Sequence, residues 1–258
     1  MLVVLNLLQA VTAPVLQPVS RWVVSYNETE CSASRSFGDP EHPVVVTFVP
    51  YPTNKEGYVY FSVPGRATNV RIGAAAVQLM PTGETSSSTV VGAKYASGSH
   101  VIRLFADEAL WANIYKSSAL KISGTRRDDL FVTLQGIQQI RAAAKTCGDD
   151  LLKSWGADPS AMVYLKPKNG TSPFWFTNND YPINAIENDE EGRLQSLTSI
   201  DRDGKPIACR VVAKSGSETL DVNTCRLLVE RIRAPAVGPE GPATRYFYHA
   251  VTWKLPRN

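Results

Sequence analysis

The sequence predicts an α+β protein in two parts. An N-terminal, mostly-β domain closed by a helix is followed by a smaller domain ordered helix, strand, strand, helix, strand. Three observations carry this expectation. From Arg21 to Thr133, short apolar or alternating runs are separated by Gly, Pro, Ser and Asn, which is the pattern of strands and turns. From Gly136 to Trp155 the period changes, and Ile137, Ile140, Ala144, Cys147 and Leu151 recur at three- and four-residue steps, as on one helical face. After Trp155 comes a stretch rich in Gly, Pro, Ser and Lys, and a second set of periodic segments begins near Tyr181.

In chain order, residues 1–20 read as an export segment. The run is apolar up to Leu16, and Val11-Thr12-Ala13 has the small-x-small form of a cleavage site, although no Lys or Arg precedes it and Asn6, Gln9 and Pro14 interrupt it. A membrane-crossing helix needs about 20 predominantly apolar residues, so this run is expected to direct export rather than to anchor. Residues 21–155 form the N-terminal domain, with strands expected at Trp22–Tyr26, Val44–Val49, Gly57–Val63, Ala74–Met80, Val101–Phe105 and Leu130–Leu134. Residues 156–172 are the expected linker and 173–258 the C-terminal domain.

Within that second domain, Pro182 suits a first helical turn, Asp180 or Tyr181 can cap it, and Ile183, Ala185 and Ile186 supply apolar surface before Gly192. Gly192–Ile200 and Lys205–Ala213 flank Asp201-Arg202-Asp203-Gly204, a hairpin signal. On the second of these strands Ile207, Cys209 and Val211 share a face. Asp221 is expected to cap a helix whose inner face carries Cys225, Leu228, Val229 and Ile232, ended by Pro235. In the last strand, Arg245–Leu255, the residues Phe247, Val251, Trp253 and Leu255 alternate inward.

The chain has four cysteines in 258 residues and none in Cys-x-x-Cys spacing, so disulfides in an oxidising compartment are expected rather than a zinc or redox centre. Sequence alone allows three connectivities. Placement favours Cys31 with Cys147, tying the first strand to the helix, and Cys209 with Cys225, stapling helix to sheet. Closing the latter loop is worth roughly 3 kcal/mol.

The 27 basic and 24 acidic side chains give a formal charge of +3 without a block of one sign, so neither nucleic acid nor anionic lipid is implied. The three histidines, His42, His100 and His249, lie outside nucleophile and metal motifs, and the carboxylates Glu190, Glu191, Asp201 and Asp203 are expected to be solvated. The Asp-Gly turn lacks the alternating ligands of a calcium loop, and no Gly-rich phosphate cradle is present. No catalytic residue, metal, cofactor or small-molecule substrate is assigned, and the expectation is a non-enzymatic binding protein.

One ordered series of short motifs carries a resemblance: Tyr181-Pro182, Glu191-Gly192, Asp203-Gly204-Lys205-Pro206, Val211-Val212-Ala213-Lys214-Ser215-Gly216, Leu220-Asp221, Arg233-Ala234-Pro235-Ala236, Gly241-Pro242 and Val251-Thr252-Trp253-Lys254-Leu255-Pro256. Together they resemble the C-terminal domain of the TonB family over about residues 173–258, in a disulfide-containing variant. The resemblance implies an antiparallel three-stranded sheet with two helices, in the periplasm or cell envelope of a Gram-negative bacterium. It also implies a partner: an extended peptide of an outer-membrane transporter (the TonB box), or another envelope protein, added to an edge strand as part of energy-coupled transport. By motif that edge is Tyr246, Phe247, Tyr248, His249, Ala250, Val251 and Thr252, and Asn178, Asn179, Asp180, Tyr181 and Pro182 form the receptor-recognition region. Pairing of two copies through these strands would give a homodimer.

Asn178-Asn179-Asp180 stands where the family commonly has Gln-Pro, so receptor choice is expected to differ. A linker of this size reaches at most about 60 Å. The expectation is a two-domain binding protein rather than an autonomous transducer; the alternative is a structural or self-associating envelope or cell-wall-binding protein without energy transduction.

Overall fold

The computed structural model describes residues 14–65, 71–94, 100–124, 129–165 and 175–255. Residues 1–13 of the expected export segment and 166–172 of the expected linker lie outside them. The chain divides into two compact units, residues 1–146 and 147–258.

In the first unit, alternation builds nine strands: β1 (Val23–Tyr26), β2 (Cys31–Phe37), β3 (Val44–Pro50), β4 (Gly57–Val63), β5 (Arg71–Met80), β6 (Thr85–Lys94), β7 (His100–Ala106), β8 (Ala119–Ser123) and β9 (Leu130–Thr133). They form one antiparallel sheet in the order β1-β2-β3-β4-β7-β6-β5-β8-β9. Leu16 bridges Val132 of β9 in parallel and Pro18 bridges Phe37 of β2, so the segment entering β1 links the last strand of the sheet to its second. One set of alternate side chains, including Val46, Phe48, Val59, Phe61, Val77, Leu104 and Ile122, fills a continuous core.

Two helices belong to this sheet. α1 (Glu108–Ile114) is capped by Asp107, whose carboxylate accepts the Leu110 N–H at 2.9 Å, and it buries Leu110, Trp111 and Ile114. It was not expected from the sequence. α2 (Ile137–Ser154) was expected, and its Ile137 and Ile140 join the same core. The strands β2, β6 and β8 lie in the stretch read as strands and turns but were not singled out there. β6 reads Thr-Ser-Ser-Ser-Thr before its first valine, so it is placed by ladder bonds to β5 and β7 rather than by an apolar period. Cys31 opens β2 rather than closing the first strand.

The second unit contains α3 (Ile183–Glu187), β10 (Gly192–Ile200), β11 (Pro206–Ala213), α4 (Glu218–Arg231) and β12 (Arg245–Trp253). The three strands are antiparallel in the order β11-β10-β12. One face of the sheet is covered by α4: Leu194, Val251 and Trp253 pack with Leu220 and Leu227, and Ile200 and Phe247 pack with Leu228 and Ile232. Gly204 takes φ +84° in the hairpin between β10 and β11, and a Cβ there would meet the Ala234 carbonyl oxygen at 1.9 Å, so only glycine fits the turn.

Four details differ from the expectations. Ser217, not Asp221, caps α4, accepting the Leu220 N–H at 3.1 Å, while buried Asp221 accepts from the Ser215 N–H at 3.0 Å. Leu220, Thr224, Leu227 and Leu228 form the buried stripe of α4 and Val229 is exposed; the helix begins four residues earlier than read, and its first buried position is Leu220. Ile207 is 58% exposed: Ser199 faces Ala208 while Ile200 faces Pro206, so Ile207 is the extra residue of a bulge and leaves the inner face. In α3 only Ala185 is buried and Ile183 and Ile186 are exposed, because a five-residue helix turns just one position onto the core.

Candidate functional site

β12 lies at one edge of the three-stranded sheet and pairs with β10 in unbroken register from Gly192 opposite Trp253 to Ile200 opposite Arg245. Side chains alternate along it. Phe247, His249, Val251 and Trp253 face α4, and Tyr246, Tyr248, Ala250 and Thr252 face the other way. Backbone groups alternate as well, one residue bonding inward and the next outward. The Tyr246 carbonyl points outward, accepting the Val163 N–H at 2.8 Å. By the same alternation the N–H and C=O groups of Ala250 and Thr252 point outward, and none of the described residues bonds them there.

The side chains of Tyr246 to Thr252 carry no formal charge. Burial between aromatic rings drives the His249 pKa down to about 4, so its imidazole is neutral near pH 7. Phe176 stacks on His249 at 5.8 Å and Phe247 at 5.6 Å. Trp175 meets Phe247 edge-on at 5.9 Å, and Phe176 meets Trp253 at 5.5 Å. On the opposite face Trp155 stacks on Tyr248, 6.2 Å apart and 8° from parallel, and Arg210 donates to the Trp155 carbonyl.

Residues 157–165, assigned by sequence to a linker, are partly built into this unit. Ala157 and Ala161 are buried, a 3-10 turn spans Pro159–Ala161, and Met162 pairs in parallel with Tyr246. Val163 and Leu165 pack with Phe247, Ile200 and Leu228. Trp155, Val163, Leu165, Trp175 and Phe176 are neighbours of β12 that the sequence reading did not name. The uninterrupted apolar run Ala161-Met162-Val163-Tyr164-Leu165 was the available signal, but it was outweighed by the Gly, Pro and Lys around it.

Asn178–Asp180 form a single 3-10 turn, and Pro182 precedes α3. Arg231 of α4 grips both carboxylate oxygens of Asp180, at 2.7 Å and 2.5 Å, and also donates to the Trp175 carbonyl at 2.8 Å. Thr177 gives Asp180 its backbone N–H at 2.7 Å, and Asn223 donates to the Asp180 carbonyl at 2.8 Å. The Arg231 hydrogen bond, supported by those from Thr177, holds the Asp180 carboxyl down at about 2 against its partial burial. Asp180 therefore secures this turn to α4 instead of capping α3. Tyr181 packs edge-on against Trp253 at 5.2 Å and donates its hydroxyl to the Glu190 carbonyl. The fold thus brings the Asn178–Pro182 turn beside the C-terminal end of β12.

Cys209 and Cys225 are joined, with Cα atoms 5.3 Å apart, linking β11 to α4. None of the four cysteines is free. Trp253 donates its indole N–H to the Thr224 hydroxyl at 2.9 Å in the buried interior. Among the described residues no three His, Cys, Asp or Glu side chains are grouped to hold a metal ion, and no helix is long and apolar enough to cross a membrane.

Residues 177–255 match the family model described as the Gram-negative bacterial TonB protein C-terminal. No curated protein and no solved structure matches the chain at a significant level. The match covers a little under a third of the chain and spans every element from the Asn178–Asp180 turn to the end of β12, the region in which the ordered motifs were read. The family is one of protein-interaction domains of the Gram-negative envelope, and two disulfides suit an exported protein. Over residues 177–255 this chain is thus similar to the C-terminal domain of Gram-negative TonB proteins.

Proposed function

We propose that this protein binds an envelope partner by adding an extended segment of it to the outer edge of β12, the partner being the peptide of an outer-membrane transporter in energy-coupled transport. The observation that carries this reading is the position of β12: it has a sheet neighbour on one side only, and at Ala250 and Thr252 no described residue meets its outward backbone groups. An open ladder offers N–H and C=O groups to a strand, while alternate side chains set the selectivity. The uncharged side chains of Tyr246–Thr252 suit recognition through backbone rather than through charge. The Asn178–Pro182 turn, held by Arg231 and joined to Trp253 through Tyr181, contributes selectivity at one end of the edge.

The test is an NMR titration of the oxidised, isotope-labelled protein with peptides carrying TonB-box sequences, taken to millimolar concentration. Saturable shifts confined to Tyr246–Thr252 are expected. Unchanged β12 amides in a folded protein would refute strand addition. If sedimentation shows a dimer whose contact shifts fall on β12, edge pairing of two copies replaces the transporter peptide as the occupant.

A further inference from the structure

The N-terminal end of the β12 edge is already paired by the chain itself. Met162 lies opposite Tyr246 in parallel, and the Val163 N–H donates to the Tyr246 carbonyl at 2.8 Å. In a parallel pair the facing residues project to the same side of the sheet. Met162 therefore shares the face of Tyr246, and Val163 shares the face of Phe247. The packing agrees, since Val163 and Leu165, two residues apart, both join the cluster of Phe247, Ile200, Leu228 and Ile232. A short extended segment with aliphatic side chains at alternate positions is thus seated on the strand that would receive a partner.

We infer that Met162–Leu165 is an internal strand holding in cis the place of the partner peptide, and that the partner displaces it by presenting two aliphatic residues in the alternation of Val163 and Leu165. This rests on the reading of β12 as a strand-accepting edge and adds to it a competitor and a side-chain requirement. Two strands cannot use one carbonyl and one apolar cleft together, so occupancy in cis lowers apparent affinity in trans. A displaceable strand must be held lightly: Val163 and Leu165 are only half-buried, and among the described residues the bond from the Val163 N–H to the Tyr246 carbonyl is what joins them to the β12 backbone.

The probe is a labelled synthetic peptide of the chain's own Asp158–Leu165 sequence, added to the full oxidised protein and to two variants. Val163→Pro removes the N–H that bonds Tyr246, and the preceding Met162 already has extended backbone, φ −68° and ψ 134°, so proline is accommodated locally. Leu165→Ala leaves the backbone alone and removes one apolar anchor. Fluorescence anisotropy should show V163P binding the peptide about tenfold more tightly than the native protein, with L165A between them. A peptide carrying Ser at both aliphatic positions should bind V163P at least about tenfold more weakly than its parent. Equal affinity of all three proteins, with shifts on β12, would overturn the internal competitor while leaving strand addition standing. No binding to V163P or L165A, in proteins that keep dispersed spectra and the Cys209–Cys225 bond, would overturn both readings.

Discussion

His249 makes the stability of the C-terminal unit depend on pH in a way that can be worked out. Its imidazole lies on the inner face of β12 between the rings of Phe176 and Phe247, and burial lowers its pKa from 6.5 to about 4. An unfolded imidazole titrates near 6.5, so between about pH 6.5 and 4 the unfolded chain binds more protons than the folded one. A depressed folded-state pKa gives stability that is present above the unfolded value and lost as pH falls through that window. At about 1.4 kcal/mol per unit the full difference is about 3 kcal/mol, of which about 2 kcal/mol is lost on going from pH 7 to pH 5. The comparison is His249→Phe, which keeps an aromatic ring between the other two and removes the titration. Urea unfolding monitored by tryptophan fluorescence should show the native protein losing about 2 kcal/mol more than H249F between pH 7 and pH 5. His42 and His100 remain in both proteins, so their contributions cancel. Equal losses in the two proteins would refute the assignment, as would an NMR titration placing the His249 midpoint near 6.5.

Asp180 extends this argument to lower pH. Its carboxyl, held near 2 by Arg231, stabilises the fold above the unfolded value of about 4 and ceases to do so as pH falls from about 4 to 2. Because Arg231 is about a third exposed, solvent screening keeps the contribution to about 1 kcal/mol, and Asp180→Asn should lose that much at pH 7 while flattening the acid limb of the stability curve. Replacing Cys209 and Cys225 with serine opens a loop with a sequence separation of 16 and should cost about 3 kcal/mol, read as a lower urea midpoint for the C-terminal unit.

What could be read from sequence follows physical signal strength. β10 was read at its observed limits, Gly192–Ile200, because glycine opens it and an Asp-Gly turn follows it. α2 was visible because 18 residues repeat the helical period several times over. α1 was not, because seven residues show barely two turns, and the meaning of Leu110, Trp111 and Ile114 comes from the sheet they pack on. Ile207 was misplaced because strict alternation cannot anticipate a bulge, which depends on pairing with β10. At the candidate site, the edge strand and the turn before Pro182 were both legible through ordered motifs. Their connection through Tyr181 and Trp253, the Arg231 grip on Asp180 and the pairing of Met162 with Tyr246 were not, since each joins residues distant in sequence.

The internal strand also limits what kind of partner can succeed. Met162 is separated from Trp155, which is stacked on Tyr248, by only a short run of chain, so the segment stays close to β12 when it detaches. A strand tethered this closely acts at an effective concentration on the order of millimolar. A free peptide at micromolar concentration therefore displaces it only if its contacts exceed those of Met162–Leu165 by enough to overcome that ratio. Pairing along the remainder of the edge supplies such contacts, because Ala250 and Thr252 offer outward backbone groups that the described part of the internal strand does not reach. Each new backbone bond contributes about 1 kcal/mol, so about four offset a disadvantage on the order of a thousandfold. Partner length then becomes the discriminating variable: peptides long enough to span Tyr246 to Thr252 should exchange with the internal strand, and peptides covering only the Tyr246 end should not. A length series measured on native protein and V163P should show a steep dependence in the former and a shallow one in the latter, and parallel curves would mean that the internal strand does not compete.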